Sequence, residues 1–483
     1  MLFSSSIFLF LFLPLVLIGY YILRESLRNV FLLTASLVFF AWGGVSYTLI
    51  LILSIIANYT FGRLINANLG DKKAKLWLGL GVGINLSLLV VFKYANFITI
   101  SLNELLTFIH ISEIKNTSIA LPIGISFYTF QAISYLVDIY RREAQVQKNI
   151  LRLGLYISIF PHLIAGPILR YRDLAKQLHI RTITVEMFSY GIRRFITGLA
   201  KKVLLANTFA YIADEIFAIV PSDLSGMAAW LGIISYSFQI YFDFSGYSDM
   251  AIGLARMFGF IIPENFNLPY IARSIKDFWR RWHISLSTFF RDYLYIPLGG
   301  NRIGNVRTYV NLFIVFFLTG LWHGASWNFV AWGMVHGLFL VFERIFRESR
   351  LSRVWKPIQH AYTLFIVIIA WVLFRSVDFS YAWGYYHAMF TFNPEINGLQ
   401  QIAKYLNIEF YIVIIIAVLA STKFFSNTYN KVELMLRSRN ELFQQSFITS
   451  FSILNILFYL GIFFLCTIYL VSESYNPFIY YRF

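Results

Sequence analysis

The chain has 483 residues, of which 58% are hydrophobic and 19% aromatic, and only 13% are charged. That charged share is about half of a soluble domain's, which excludes a soluble globular enzyme and makes an all-α integral membrane protein the expectation. The formal charge is +16, from 40 Lys and Arg against 24 Asp and Glu; the cations fall between apolar runs, as positive-inside topology requires, so no nucleic-acid partner is implied.

Apolar runs that suit helices, at about 20 residues per crossing, lie near 6–23, 30–43, 46–65, 76–95, 119–140, 203–220 and 228–258, then 309–322, 327–346, 360–376, 405–422 and 447–471. They predict about eleven or twelve transmembrane helices in one membrane domain, 1–483. The first run has no basic segment before it and is followed by Arg24 and Arg28, which reads as an uncleaved span with its N-terminus outside. The stretch 97–110 suits an interfacial helix. Residues 151–169, broken by Pro161, Gly166 and Pro167, predict a re-entrant segment, which survives at membrane depth only beside protein or a water-filled cavity.

Cationic clusters predict the cytoplasmic loops: Arg63 with Lys72, Lys73 and Lys75; Arg141, Arg142, Lys148 and Arg152; Arg170 and Arg172 through Arg193, Arg194, Lys201 and Lys202; Arg344, Arg347, Arg350, Arg353 and Lys356; and Lys423, Lys431, Arg437 and Arg439. Turns poor in Lys and Arg, such as Trp42-Gly43-Gly44 and Pro221 to Gly226, predict the outer face. In the last run Cys466 reads as a small core residue, and as the single cysteine it excludes an intrachain disulfide and a Cys-based zinc site. No metal site is expected.

The segment 263–307 mixes cations with Phe278, Trp279, Trp282, Phe289, Phe290 and Tyr293, and predicts cytoplasmic, amphipathic helices lying in the inner leaflet, ended by Pro297 and Gly299-Gly300. Such a patch is either a positive-inside anchor or a receptor for an anionic donor, with Arg280 and Arg281 gripping phosphates and Trp279 and Trp282 packing the thioester or adenine. His283 lies in its middle. The next apolar run carries Trp322-His323-Gly324 to a depth of roughly 22 Å from Thr308, past the middle of the bilayer core. A titratable group so placed is usually functional. A neutral imidazole there can take the proton of an acceptor hydroxyl attacking a thioester carbonyl. Gly320 and Gly324 are expected to clear space for substrate, Trp322 and Trp327 to wall the site, and Ser326 or Asn328 to fix the tautomer of His323. His336 reads as a core histidine or a second functional one, and His162 as a lining residue of the broken segment. Asp138, Asp243 and Asp249 sit in apolar context and suit helix clamping, tunnel lining, proton relay or cation binding.

The string Phe278 to Ser287 (FWRRWHISLS), followed by Trp322 to Trp327 (WHGASW), resembles the membrane-bound O-acyltransferase family, and within it the alginate O-acetyltransferase subgroup. Leu121 to Gln131, His162 to Pro167, Phe242 to Asp249 and Asn476 to Tyr480 support the resemblance over nearly the whole chain. The resemblance implies a funnel or tunnel, with the family's catalytic histidine at His323 and its second histidine at His283. It implies a bacterial inner-membrane enzyme with no bound cofactor, using acetyl-CoA or another acyl thioester, a periplasmic acetyltransferase or esterase-type partner, and a polysaccharide acceptor. Peptidoglycan O-acetylation subunits and the teichoic acid D-alanylation subunit are implied relatives. The competing class is a transporter or flippase of lipid-linked sugar that uses Asp243 and Asp249; no internal duplication supports it. A scaffold for a polysaccharide synthase is the third reading.

Overall fold

The structure, a computed structural model, describes residues 1–115, 119–346, 353–391, 394, 397–428, 431, 441–472 and 475–479. Arg347, Arg350, Arg437, Arg439 and Tyr480 lie outside them. The described chain is helical, with no strand among the described residues. In order the helices are α1 (Leu13–Ile22), α2 (Glu25–Ala41), α3 (Val45–Ala67), α4 (Lys72–Leu89), α5 (Ala95–Phe108), α6 (Ile125–Tyr140), α7 (Ile150–Ser158), α8 (Phe160–Leu163), α9 (Tyr171–Leu174), α10 (Val185–Ala200) and α11 (Asn207–Phe217). There follow α12 (Gly226–Met257), α13 (Ile275–Arg281), α14 (Ile284–Phe290), α15 (Asn305–His323), α16 (Trp327–Ile345), α17 (Lys356–Arg375), α18 (Phe379–Phe390), α19 (Gly398–Ala403), α20 (Ile408–Ala420) and α21 (Glu441–Ser472).

By length and composition, five described stretches are apolar enough to cross a bilayer: Val45–Ala67, Lys72–Phe108, Asn305–His323, Lys356–Arg375 and Ser450–Ser472. The second includes 97–108, most of the stretch expected in the interface, which continues α4 through a π-helical turn at Val90–Tyr94. Other helices reach membrane length without matching apolarity because protein, not lipid, surrounds them. The 32 residues of α12 rise about 48 Å, and most of them are buried.

Close packing around α12 comes from a glycine seam. An added Cβ would lie 2.4 Å from the Gly246 carbonyl oxygen at Gly198, and 2.6 Å from that of Gly191 at Gly253. Small residues spaced seven apart on both α10 and α12 thus let the two backbones touch, as at other membrane helix contacts. Polar clamps supplement the packing: the Asn58 and Asn85 amides pair between α3 and α4 at 3.1 and 2.8 Å.

The charges assigned to cytoplasmic loops are in part elsewhere. Arg193 and Arg194 are on α10, and Lys202, in the π-helical turn Lys201–Ala206, is buried. Lys202 pairs with Asp243 at 2.9 Å and donates to the Pro477 carbonyl, while the other Asp243 oxygen accepts from the Ile479 amide at 2.8 Å. Asp249 pairs with Arg194 at 2.7 Å and Lys201 at 2.6 Å. Both carboxylates therefore clamp α12 to its neighbours. Both are engaged in ion pairs, and neither lines a void at His323.

Candidate active site

The segment 263–307 folds inward. Phe278, Trp279, Trp282, Phe289 and Phe290 are buried in the protein, so they form core and not the interfacial belt that their composition predicts. A re-entrant backbone must find partners for its amides, and two residues, Glu343 and Asn265, supply them. Both Glu343 carboxylate oxygens accept from the first amides of α13, Ile275 at 2.6 Å and Lys276 at 3.1 Å. At the break between α13 and α14, Asn265 accepts the Ile284 amide on its carbonyl at 2.9 Å, and the Ser285 amide and hydroxyl on Oδ1 at 3.1 and 2.8 Å.

That break places His283 at φ 45°, a left-handed conformation rare outside glycine. Its Nδ1 bonds Asn265 Oδ1 at 3.1 Å, and its buried Nε2 has no partner among the described residues. The far end of the hairpin is latched by ions. Asp292 pairs with Arg170 at 2.6 Å, Arg172 at 2.7 Å and Arg291 at 2.7 Å, while Asp138 accepts from the Tyr293 hydroxyl at 2.6 Å and the Arg172 amide at 2.9 Å. Burial raises the Asp292 carboxyl, but hydrogen bonding and charge from Arg291 and Arg170 outweigh it and hold it below the usual aspartate range.

His323 is the last residue of α15 and is buried. Four terminal carbonyls of a helix lack intrahelical partners, and here each finds one. The Gly324 amide returns to Gly320 at 3.2 Å, the Tyr94 hydroxyl donates to Leu321 at 2.9 Å, and the Lys93 ammonium donates to Trp322 and, at 3.5 Å, to His323. Lys93 also reaches Ser126 Oγ at 3.3 Å. The π-helical turn between α4 and α5 thus caps the helix that carries His323.

The two imidazoles meet, with ring centroids 6.1 Å apart. His283 is therefore beside His323 in the protein interior. Neither ring nitrogen of His323 has a partner among the described residues. Its ring is flanked by Trp322, Trp332 and Phe374 at 5.0 to 5.2 Å and lines two voids. One, about 130 Å³, is shared with Lys93, Gly124, Ser126, Ile164 and Trp322 and has exposed Leu121 among its lining residues. The other is apolar and about 10 Å³, between Phe244, Trp282, Trp371, Phe374 and Ile479.

Several expected neighbours are elsewhere. Trp327 is 48% exposed and bonds Ser101 at 3.2 Å, so it does not wall the site. Ser326 caps α16 through its backbone conformation alone, and Asn328 donates to the Ser376 carbonyl at 3.0 Å; neither fixes the tautomer of His323. Gly320 and Gly324 admit α16 and not substrate: a Cβ would lie 2.3 Å from the Phe329 carbonyl oxygen at Gly320 and 2.1 Å from the Phe329 ring at Gly324. Arg280 is exposed, and Arg281 is bound to Asp277 at 2.9 Å and to the Asn267 carbonyl; neither lines a void at His323. Trp282 does line one, whereas Trp279 packs on Trp332 and His336.

His336 sits in an aromatic cage, stacked on Phe278 at 6.1 Å, and lines neither void at His323. His162 is buried in α8, outside both voids. Sequence reasoning passed over Lys93, Tyr94, Asn265, Glu343 and Trp332. Lys93 carried a local signal, as a lone cation in the apolar run 76–95. Among the described residues no cluster of His, Cys, Asp and Glu is built to hold a metal ion.

A buried imidazole whose nitrogens have no partner among the described residues, and which lines both a cavity and a narrow apolar void, is suited to moving a proton during transfer of a small acyl group. Comparison with known proteins agrees. Residues 105–374 match the sequence profile of MBOAT, the membrane-bound O-acyltransferase family. The chain is 49% identical over 393 residues to the probable alginate O-acetylase AlgI of Pseudomonas aeruginosa, covering 81% of this chain and 75% of that protein. It is 46% identical over 431 residues to the protein of the same name from Azotobacter vinelandii, covering 88% and 86%. The peptidoglycan O-acetyltransferase of Helicobacter pylori is 38% identical over 416 residues, covering 78% and 77%. With its helical membrane fold and its buried histidine pair, this chain belongs to the membrane-bound O-acyltransferase family.

Proposed function

We propose that this acyltransferase moves an acetyl group from a cytosolic thioester, acetyl-CoA or another acyl carrier, through a bacterial inner membrane for O-acetylation of a cell-surface or secreted polysaccharide of the alginate type. The observation that carries the reading is His323, buried, with no partner for either ring nitrogen among the described residues, and lining two voids. The cationic ends of α4 at Lys72 and Lys73, of α6 at Arg141 and Arg142, and before α15 at Arg302 mark the cytoplasmic side; the larger cavity lies toward their opposite ends.

In this reading the acceptor hydroxyl enters through that cavity and its oxygen attacks the thioester carbonyl carbon. His323, uncharged, takes the hydroxyl proton; the carbon–sulfur bond then breaks, and the proton is returned to the departing thiolate. His283, anchored by Asn265, lies 6.1 Å from His323 between ring centroids, and its Nε2 has no partner among the described residues. The apolar void is too narrow for a thioester as it stands, so donor entry requires movement of Trp282, Trp371 or Phe374. The acceptor is a periplasmic acetyltransferase or esterase-type protein, or the glycan itself.

The test is acetyl transfer from labelled acetyl-CoA in proteoliposomes, with an unacetylated alginate oligosaccharide and the periplasmic partner outside. His323→Ala that inserts normally is expected to lose transfer, and full activity in that variant removes the mechanism. The peptidoglycan relative motivates a parallel assay on muropeptides; transfer to these and not to alginate selects the second acceptor.

A further inference from the structure

A second and larger cleft, about 430 Å³, lies between α11, α20 and the end of α21, away from both voids at His323. Its volume falls in the roughly 300–1,000 Å³ range of small-molecule sites. Its lining is unlike a lipid crevice: apart from Ile212 and Phe410, every lining side chain is polar or carries a hydroxyl. The cleft has a built floor. Asn207 is 6% exposed and donates from Nδ2 to Asn476 Oδ1 at 3.3 Å, while its own Oδ1 has no partner among the described residues. A buried oxygen left so is costly unless a ligand or water donates to it.

The walls are aromatic. The ring of Tyr211 meets those of Tyr405 at 6.5 Å and 72° and Tyr475 at 6.2 Å and 87°. Tyr211 is 51% exposed, so one side of this corner is open. Ring faces carry negative potential and pack against C–H groups, while amides and hydroxyls at the floor read O–H groups. The charges at the rim have opposite sign and Lys404 is bound to Glu215 at 3.1 Å, so the cleft does not attract an anionic lipid headgroup. Its position is exterior: Gln401 of α19 bonds the Ser225 amide at 3.0 Å and the Asp223 carbonyl, on the turn poor in cations.

We infer that this cleft is a sugar-binding site that takes a hydroxyl-rich ring of the acceptor glycan on the outer face. This rests on the acetyl-transfer reading for the identity of the glycan. The same segment that floors the cleft continues to the reaction centre: Asn476 contacts Asn207, and Ile479, held by Asp243, lines the apolar void at His323. The cleft and the apolar void are thus joined by one short segment, 475–479.

The experiment measures binding alone, so its outcome is separate from that of acetyl transfer. Full-length protein in phosphatidylethanolamine and phosphatidylglycerol nanodiscs is titrated with an unacetylated alginate tetrasaccharide, with thermal melting to confirm the fold. Tyr211→Ala is expected to raise Kd about tenfold, and Tyr211→Phe, which keeps the ring, no more than about threefold. Binding that Tyr211→Ala weakens supports the site whatever the outcome of the separate acetyl-transfer assay. No binding to the wild-type protein, equal affinity in Tyr211→Ala, or a cleft that retains only phospholipid overturns the inference.

Discussion

Replacing Lys93 by methionine keeps a stem of similar length and removes the ammonium that caps α15. The Trp322 carbonyl, and more weakly that of His323 at 3.5 Å, then lose their donor in the interior. A hydrogen bond to a charged group contributes about 1.5–3 kcal/mol, and a cation at a helix C-terminus adds about 0.3–1 kcal/mol. If only the Trp322 bond is lost from the transition state, kcat falls about 10- to 150-fold, at 1.36 kcal/mol per tenfold. Removing a buried ammonium also relieves its desolvation, which opposes any loss of global stability. The expected signature is therefore kinetic: low kcat, an unchanged KM for the thioester and a melting temperature close to wild type. Transfer from labelled acetyl-CoA in proteoliposomes reads all three parameters when combined with melting in detergent. A kcat within twofold of wild type refutes the view that capping positions His323.

Asparagine tolerates the left-handed backbone at residue 283, so His283→Asn should melt near the wild-type temperature while transfer falls about 100-fold or more, the scale of an acid–base group; unaltered transfer removes His283 from the chemistry. Gly320→Ala leaves His323 chemically intact but drives a methyl into the Phe329 carbonyl, and overpacking of this kind costs about 1–3 kcal/mol; an undiminished melting temperature contradicts the close-packing role. Asp292 has a depressed folded pKa, so its stabilisation is full above the unfolded value of about 3.9 and is lost as pH falls through the folded one. Melting profiles from pH 7 downward should show Asp292→Asn less stable at neutral pH and with a shallower acid limb than wild type; superimposable profiles contradict the latch.

The apolar run ending at His323, the broken segment 151–169 and the hairpin around His283 were all legible in the sequence. Each is marked by a local property: hydropathy over membrane length, helix breakers in an apolar run, or a histidine among aromatics. The inward fold of the hairpin was not legible, because buried aromatics and interfacial ones have the same composition. Nor were the roles of Gly320 and Gly324, since a glycine cleared for substrate and one cleared for Phe329 are the same residue.

The sequence by itself determined a helical membrane protein and picked out His323 and His283, through patterns that need only nearest neighbours along the chain. The tertiary structure alone decided that the two imidazoles share one centre, that Lys93 caps the helix bearing His323, and that Asp243 holds Lys202 and Ile479. Those pairings join residues as far as 229 and 236 positions apart. No local periodicity encodes them; they form only when packing removes water and lipid and brings these distant groups within reach of one another.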